Sequence, residues 1–130
     1  MKQYLLDTHA LIFWCYKIDV SEKFLAFFDQ QAKQGNLFCS AINFLEIALL
    51  DKKGRISIPD LEQWHAELQA HSSLHTITPS AVEMIRSASL PAIHKDLFDR
   101  LLVAQAQHHA MTLVSKNALV MQYDVQTIWL

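Results

Sequence analysis

Hydrophobic and polar positions along this chain change period repeatedly, and the changes mark out its elements. Tyr4-Leu5-Leu6 is a short apolar run, cut by Asp7-Thr8-His9 before apolar residues return at helical spacing. Such a run predicts a buried strand, followed by a helix over Ala10 to Tyr16. Ser21-Glu22-Lys23 opens a second helix carrying Phe24, Leu25, Phe27, Phe28 and Ala32, and Gly35-Asn36 closes it. Leu37 to Ser40 predicts a second strand. Ser40 then caps a helix from Ala41 to Lys53 that ends at Gly54.

Ser57-Ile58-Pro59-Asp60 is a turn into a helix over Leu61 to His71, and His75 to Ile77 a third strand. Thr78-Pro79 supplies a cap and a first helical proline for a helix over Ser80 to Ser87. After Leu90-Pro91 come an apolar helix over Leu101 to Ala110, a fourth strand over Met111 to Ser115, a short helix over Lys116 to Met121 and a final strand over Val125 to Leu130. Strands alternating with helices imply a parallel sheet with right-handed crossovers, hence an α/β fold, a three-layer α/β/α sandwich. The length of 130 residues fits a single domain spanning 1–130.

Composition narrows this picture. With 52% hydrophobic residues and only 2 Gly and 3 Pro, structured elements must fill most of the length. A net charge of -2 excludes a protein that binds nucleic acid through its overall field, so any such binding must be local. Cys15 and Cys39 form no metal-binding spacing and read as small buried thiols in a reducing compartment. The first apolar run is cut at Asp7 before it becomes a signal sequence, and no span approaches 18 apolar residues. A cytoplasmic protein without a membrane segment is expected.

Chemistry concentrates at three acids with one structural address. Asp7 ends a strand, Glu46 lies in the second turn of the helix after a strand, and Asp99 lies at the start of a helix. In a parallel sheet these addresses share the edge where ligands bind. Converging carboxylates repel one another unless a cation lies between them, and oxygen-only ligands suit a hard ion such as Mg²⁺ or Mn²⁺. Each acid also has a structural role open to it: Asp7 as an N-cap, Glu46 as an exposed helix acid, Asp96 with Asp99 as a cap pair. For Asp96 the cap is preferred. Asp99 sits beside Leu102, Val103 and Ala106, where an unpaired carboxylate is costly.

Three segments carry a resemblance: Leu5-Leu6-Asp7-Thr8-His9-Ala10-Leu11, Ser40-Ala41 with Leu45-Glu46-Ile47-Ala48, and His94-Lys95-Asp96-Leu97-Phe98-Asp99-Arg100-Leu101-Leu102-Val103-Ala104-Gln105-Ala106. In this order and at these separations the chain resembles the PIN domain, and within it the VapC-type ribonuclease toxins of prokaryotic toxin–antitoxin pairs. The resemblance implies a Mg²⁺- or Mn²⁺-dependent endoribonuclease leaving 5′-phosphate and 3′-hydroxyl ends. Asp7, Glu46 and Asp99 match the family's first three acids, and Thr8 and Ser115 match hydroxyl positions beside them. It also implies a homodimer neutralised by a small antitoxin. Where related sequences carry a fourth acid, this chain has Asn117, a neutral oxygen ligand at best or an ordinary helix cap. That substitution opens a second reading, a catalytically impaired PIN scaffold acting by binding antitoxin or RNA.

RNA contacts are expected from Lys52, Lys53, Arg55, Lys95, Arg100 and Lys116, which flank the acids and can position phosphates without reading sequence. Helix-end charges favoured by the dipole explain Lys52 and Lys53 equally well. Trp14 either stacks a base or belongs to the core.

Overall fold

The computed structural model describes residues 2–130; Met1, with which the expected domain begins, lies outside them. Strands β1 (Tyr4–Leu6), β2 (Leu37–Ser40), β3 (His75–Ile77), β4 (Thr112–Val114) and β5 (Thr127–Ile128) form one sheet in the order β3-β2-β1-β4-β5, and every pairing is parallel. Tyr4 pairs with Leu37 on one side and Thr112 on the other, so β1 is the central strand. The chain builds outward from β1 to β2 and β3, then returns to add β4 and β5 on the other side. The order therefore reverses between β1 and β4, and a crevice opens at the carboxyl ends of those two strands.

Alternation along β1 divides the core. Tyr4 and Leu6 join one buried cluster with Leu11, Phe24, Phe28, Leu37 and Ile47, while Leu5 joins another with Leu102, Val103, Ala106 and Leu113. A strand buried on both faces has no polar positions, which is why it reads as a continuous apolar run. The first cluster is covered by helices α1 (Thr8–Tyr16), α2 (Glu22–Lys33), α3 (Ala41–Lys52) and α4 (Leu61–His71). The second is covered chiefly by α6 (Leu97–His109), against which α5 (Ala81–Ala88) packs. The three-layer sandwich is thereby established.

Side-chain caps decide where several helices begin. Ser21 and Ser40 cap α2 and α3 as the sequence predicts, and Asp60 caps α4. Four expectations are corrected. Helix α5 starts at Ala81 rather than Ser80, because Ser80 and Glu83 form a reciprocal capping box and Pro79 stays outside. Helix α6 starts at Leu97 rather than Leu101, because the Asp96 carboxylate accepts from the Asp99 amide at 3.0 Å. Its first residue, Leu97, is 78% exposed, so the apolar spacing begins a turn late. The helix expected over Lys116 to Met121 shrinks to a 3₁₀ turn at Val120–Gln122, since the Asn117 carboxamide captures the amides of Leu119 and Val120. Strand β5 is correspondingly shorter than Val125 to Leu130.

Both thiols are free; Cys39 is buried and Cys15 half-buried. Burial pushes them up to about 11 and about 12 respectively, which leaves them protonated and unreactive. Among the described residues no helix is long and apolar enough to cross a membrane.

Candidate functional site

Residues following β1 and β4 meet where the strand order reverses. The Asp7 amide donates to the Val114 carbonyl at 3.1 Å, and one Asp7 carboxylate oxygen accepts from the Ala10 amide at 2.8 Å. Asp7 thus caps α1 and still has a second oxygen outside the cap. The next residue, Thr8, is buried and accepts from the Asn43 carboxamide at 3.0 Å. That carboxamide also accepts from the Ser40 amide at 2.7 Å, so a single side chain ties the start of α1 to the start of α3. One turn further along α3 stands Glu46, whose Oε1 is buried without a hydrogen-bond partner. Asp99, in the first turn of α6, binds His94 Nε2 through Oδ2 at 2.8 Å.

The three acids line one cleft of about 420 Å³ together with Asp96, His9, His94, Phe13, Trp129, Lys116 and Asn117. Their electrostatics share one direction. Burial raises the pKa of Asp7 above its ordinary 3.8; the Ala10 amide and the Ser115 hydroxyl oppose that, and the Asp99 charge adds to it. Burial also raises Glu46, relieved in part by the Thr8 hydroxyl and reinforced by Asp96 and Asp99. Asp99 is raised by burial and by Asp96, with His94 acting against them. Burial is the largest cause for each acid, and the exposed His9 opposes it a little at all three.

The donor set suits a hard divalent cation: carboxylate oxygens, two neighbouring hydroxyls and an orphaned buried oxygen on Glu46. Among the described residues no three acid, imidazole or thiol side chains form a ready-made cage for an ion. That is compatible with Mg²⁺, which commonly binds through one or two carboxylates and keeps several waters. Ion and residues fit on chemistry.

Other residues singled out in the sequence are distributed unevenly. Lys116 lines the cleft, with its ammonium over the rings of Trp129 (5.2 Å) and Phe13 (5.5 Å). Asn117 also lines it, but its carboxamide oxygen accepts from the Leu119 and Val120 amides at 2.9 and 3.3 Å and so acts as a cap. Ser115 accepts from the Asn117 amide at 3.2 Å, next to Asp7. Lys53 and Arg55 line a second groove of about 570 Å³ that shares His9, Phe13, Glu46 and Asp96 with the first. Lys52 and Lys95 are exposed and line neither.

One placement corrects the sequence reading, and another decides between its alternatives. Arg100 does not face the cleft: its guanidinium is held by the carbonyls of Ser87, Leu90, Pro91 and His94 and by the Tyr123 hydroxyl, at 2.9–3.2 Å. Adjacent residues on a helix point about 100° apart, so a neighbour of Asp99 need not share its surroundings. Trp14 packs against the first core cluster, the second of its two readings; it donates to Asp29 at 2.9 Å and lines a separate hollow with Cys15 and Trp64. The aromatic residues at the acids are Phe13 and Trp129 instead. Sequence reasoning missed His9, His94 and Trp129 as cleft residues. The Asp7-Thr8-His9 run held a signal for the first; the other two arrive through a loop and an edge strand whose reach no local pattern encodes.

A PIN-domain family model matches residues 4–124. A comparison with curated protein sequences finds no match. Among solved structures, the chain is similar to a DNA-bound VapBC from Salmonella typhimurium, at 16% identity and a TM-score of 0.73 over 98% of each chain. It is also similar to VapBC2 from Rickettsia felis bound to a promoter DNA fragment, at 20% identity and a TM-score of 0.70 over 96% of each chain. A toxin–antitoxin complex from Klebsiella pneumoniae is 21% identical with a TM-score of 0.63, over 97% of this chain and 96% of that one. At these identities the structural likeness concerns the fold.

Proposed function

This chain belongs to the PIN-domain family, and we propose from that premise that it is a Mg²⁺- or Mn²⁺-dependent endoribonuclease, the toxin of a toxin–antitoxin pair. One observation carries the reading: Asp7, Glu46 and Asp99, from three separate elements, converge on a single cleft, and all three carboxyls are pushed upward, chiefly by burial and further by neighbouring acids. Asp7, Glu46 and Asp99 would hold the metal. When bound, the ion lowers the pKa of a water molecule and offsets charge developing on phosphoryl oxygens.

The remaining work falls to the chain's own groups. The capping bond to Ala10 fixes the Asp7 carboxylate, and the Thr8 and Ser115 hydroxyls stand beside Glu46 and Asp7 to set their orientation. Lys53 and Arg55, in the adjoining groove, position RNA phosphates without reading bases. Lys116 adds a cation at the aromatic wall. Asp96 serves as the cap that starts α6 and so places Asp99.

The whole chain acts as one domain, in the cytoplasm, with an antitoxin protein as partner; the solved toxin–antitoxin complex from Klebsiella pneumoniae that shares its fold supports that partner. Homodimerisation is supported by apolar side chains left in solvent on α5 and at the start of α6, namely Val82, Met84, Ile85 and Leu97.

Asn117 favours a second reading, an impaired scaffold that binds antitoxin or RNA without turnover. It brings no charge to the cleft, and its oxygen is spent on backbone amides. Cleavage of total RNA by the isolated protein with Mg²⁺, Mn²⁺ or EDTA tests the first reading. Metal-dependent cutting supports it, and absence of cutting with every ion sinks it. Asn117→Asp separates the two: a large gain in Mn²⁺-dependent cleavage favours the impaired scaffold, and little change favours the active toxin.

A further inference from the structure

The Arg100 side chain, spent on the backbone, is the way into a device behind the cleft. Among the described residues its guanidinium has no carboxylate partner; Nη1 donates to the carbonyls of Pro91 (3.0 Å) and His94 (3.2 Å), and Nη2 to those of Ser87 and Leu90 (both 2.9 Å). The Tyr123 hydroxyl completes the arrangement: it donates to the Pro91 carbonyl at 3.0 Å and accepts from the His94 amide at 2.9 Å and from Arg100 at 3.2 Å. Tyr123 is only 5% exposed, and the bonds its hydroxyl makes are part-buried. A loop of irregular backbone is thus gripped at both ends and in the middle. A planar fork with five donors is suited to this, where an ammonium would reach fewer carbonyls.

The gripped segment presents one side chain to the acids. His94 lines the cleft, and its Nε2 lies 2.8 Å from Asp99 Oδ2. Because the His94 amide and carbonyl are both bound by the clamp, the imidazole is anchored from the backbone outward and not by its own contact alone. An imidazole N–H donating to one carboxylate oxygen fixes the plane of the carboxylate and leaves the other oxygen to face a cation. Bonds of this kind orient metal ligands elsewhere, and their loss commonly costs 10–100-fold in metal affinity or activity.

We propose that His94 is a positioning residue for the Asp99 carboxylate, and that Arg100 and Tyr123 hold it in register by clamping the backbone on which it stands. The inference rests on the nuclease reading for its consequence but on hydrogen-bond geometry for its content. Asp99 makes the contact with the ion; His94 sets its direction.

The test uses the full chain and Mn²⁺ itself, with binding followed by calorimetry and RNA cleavage measured as separate kcat and KM. His94→Ala is expected to weaken Mn²⁺ binding and lower kcat by about 10–100-fold, with KM for RNA changed far less. His94→Gln, which retains a donor, should recover part of the loss. Tyr123→Phe, which removes the hydroxyl but no packing, should produce a smaller loss of the same kind, and combining it with His94→Ala should add nothing. Wild-type behaviour of His94→Ala in both Mn²⁺ binding and kcat would overturn the proposal, as would full additivity of the two substitutions. If the wild-type chain neither binds Mn²⁺ nor cuts RNA, the nuclease reading itself fails, and this inference with it.

Discussion

Two carboxylates in this molecule, one half-buried and one fully buried, each meet a histidine at 2.8 Å, and they are driven in opposite directions. Asp99 meets His94 in the cleft and is raised above its ordinary pKa by burial and by Asp96, despite the histidine. Glu83, 1% exposed between α5 and α6, meets His109. Burial pushes Glu83 up as well, but the Ser80 amide and hydroxyl, with His109 and His108, bring it below its ordinary 4.5. Glu83 has more compensation built in: Oε1 accepts from the Ser80 amide at 2.8 Å in a capping box, and His109 Nε2 lies 2.8 Å from Oε2 as an ion-pair contact without hydrogen-bond geometry. Asp99 shares its surroundings with other acids instead. One pair lies in a helix cap, and the other lies in a cleft shared with further acids.

The contrast is broken most strongly by deletion. Asp99→Ala and Asp7→Ala should each reduce metal-dependent RNA cleavage on the order of 10²–10³-fold or more, the usual loss when a preorganised electrostatic group is removed. Urea denaturation should show the folded, metal-free Asp99→Ala protein no worse than modestly changed, while Asp7→Ala also loses the α1 cap and with it about 0.5–2 kcal/mol. Glu83→Ala should do the reverse: a loss of about 1–3 kcal/mol in urea, because a cap is removed and buried donors are left unpaired, with cleavage per folded molecule retained.

A smaller effect is expected from pH. Asp7, Glu46 and Asp99 hold their protons more tightly in the folded state. Metal-free stability should therefore rise as pH falls through their folded values, and level off below their ordinary 3.8 and 4.5. Glu83 contributes stability that is present above 4.5 and lost as pH falls through its lower folded value. Urea midpoints between pH 7 and pH 3 should show the first trend reduced in Asp99→Asn, where Asp7 and Glu46 still carry part of it, and the second lost in Glu83→Gln. Identical pH profiles for the two variants would erase the distinction drawn between the pairs. Smallest of all, Lys116→Ala should cost about 0.5–1 kcal/mol, the scale of an exposed cation–π contact.

Much of the frame was legible along the chain because its signals are local. Asp60 with the Leu61, Trp64 and Leu68 spacing sets α4 at Leu61–His71, and the short run His75–Ile77 is β3. Asp7, Glu46 and Asp99 could be singled out because a parallel sheet brings strand ends and following helices to one edge. What stayed hidden depends on partners without a side-chain signature. The Arg100 clamp grips carbonyl oxygens, which every residue carries, so no residue type around it announces the contact. Asn117 presents the same carboxamide whether it caps a turn or faces an ion, and only the positions of the Leu119 and Val120 amides decide. Trp129 reaches the acids from beyond the two-residue strand β5, where tertiary placement alone sets what it touches.

The central claim is that Asp7, Glu46 and Asp99 together await a divalent cation. The most direct test is the thermal midpoint of the purified protein at neutral pH as Mn²⁺ is added, since a ligand that binds only the folded state raises that midpoint with concentration. A rise for the wild type and for Glu83→Gln, abolished in Asp7→Asn and Asp99→Asn, is the predicted result. An equal rise in all four proteins, or none in the wild type, would contradict the account.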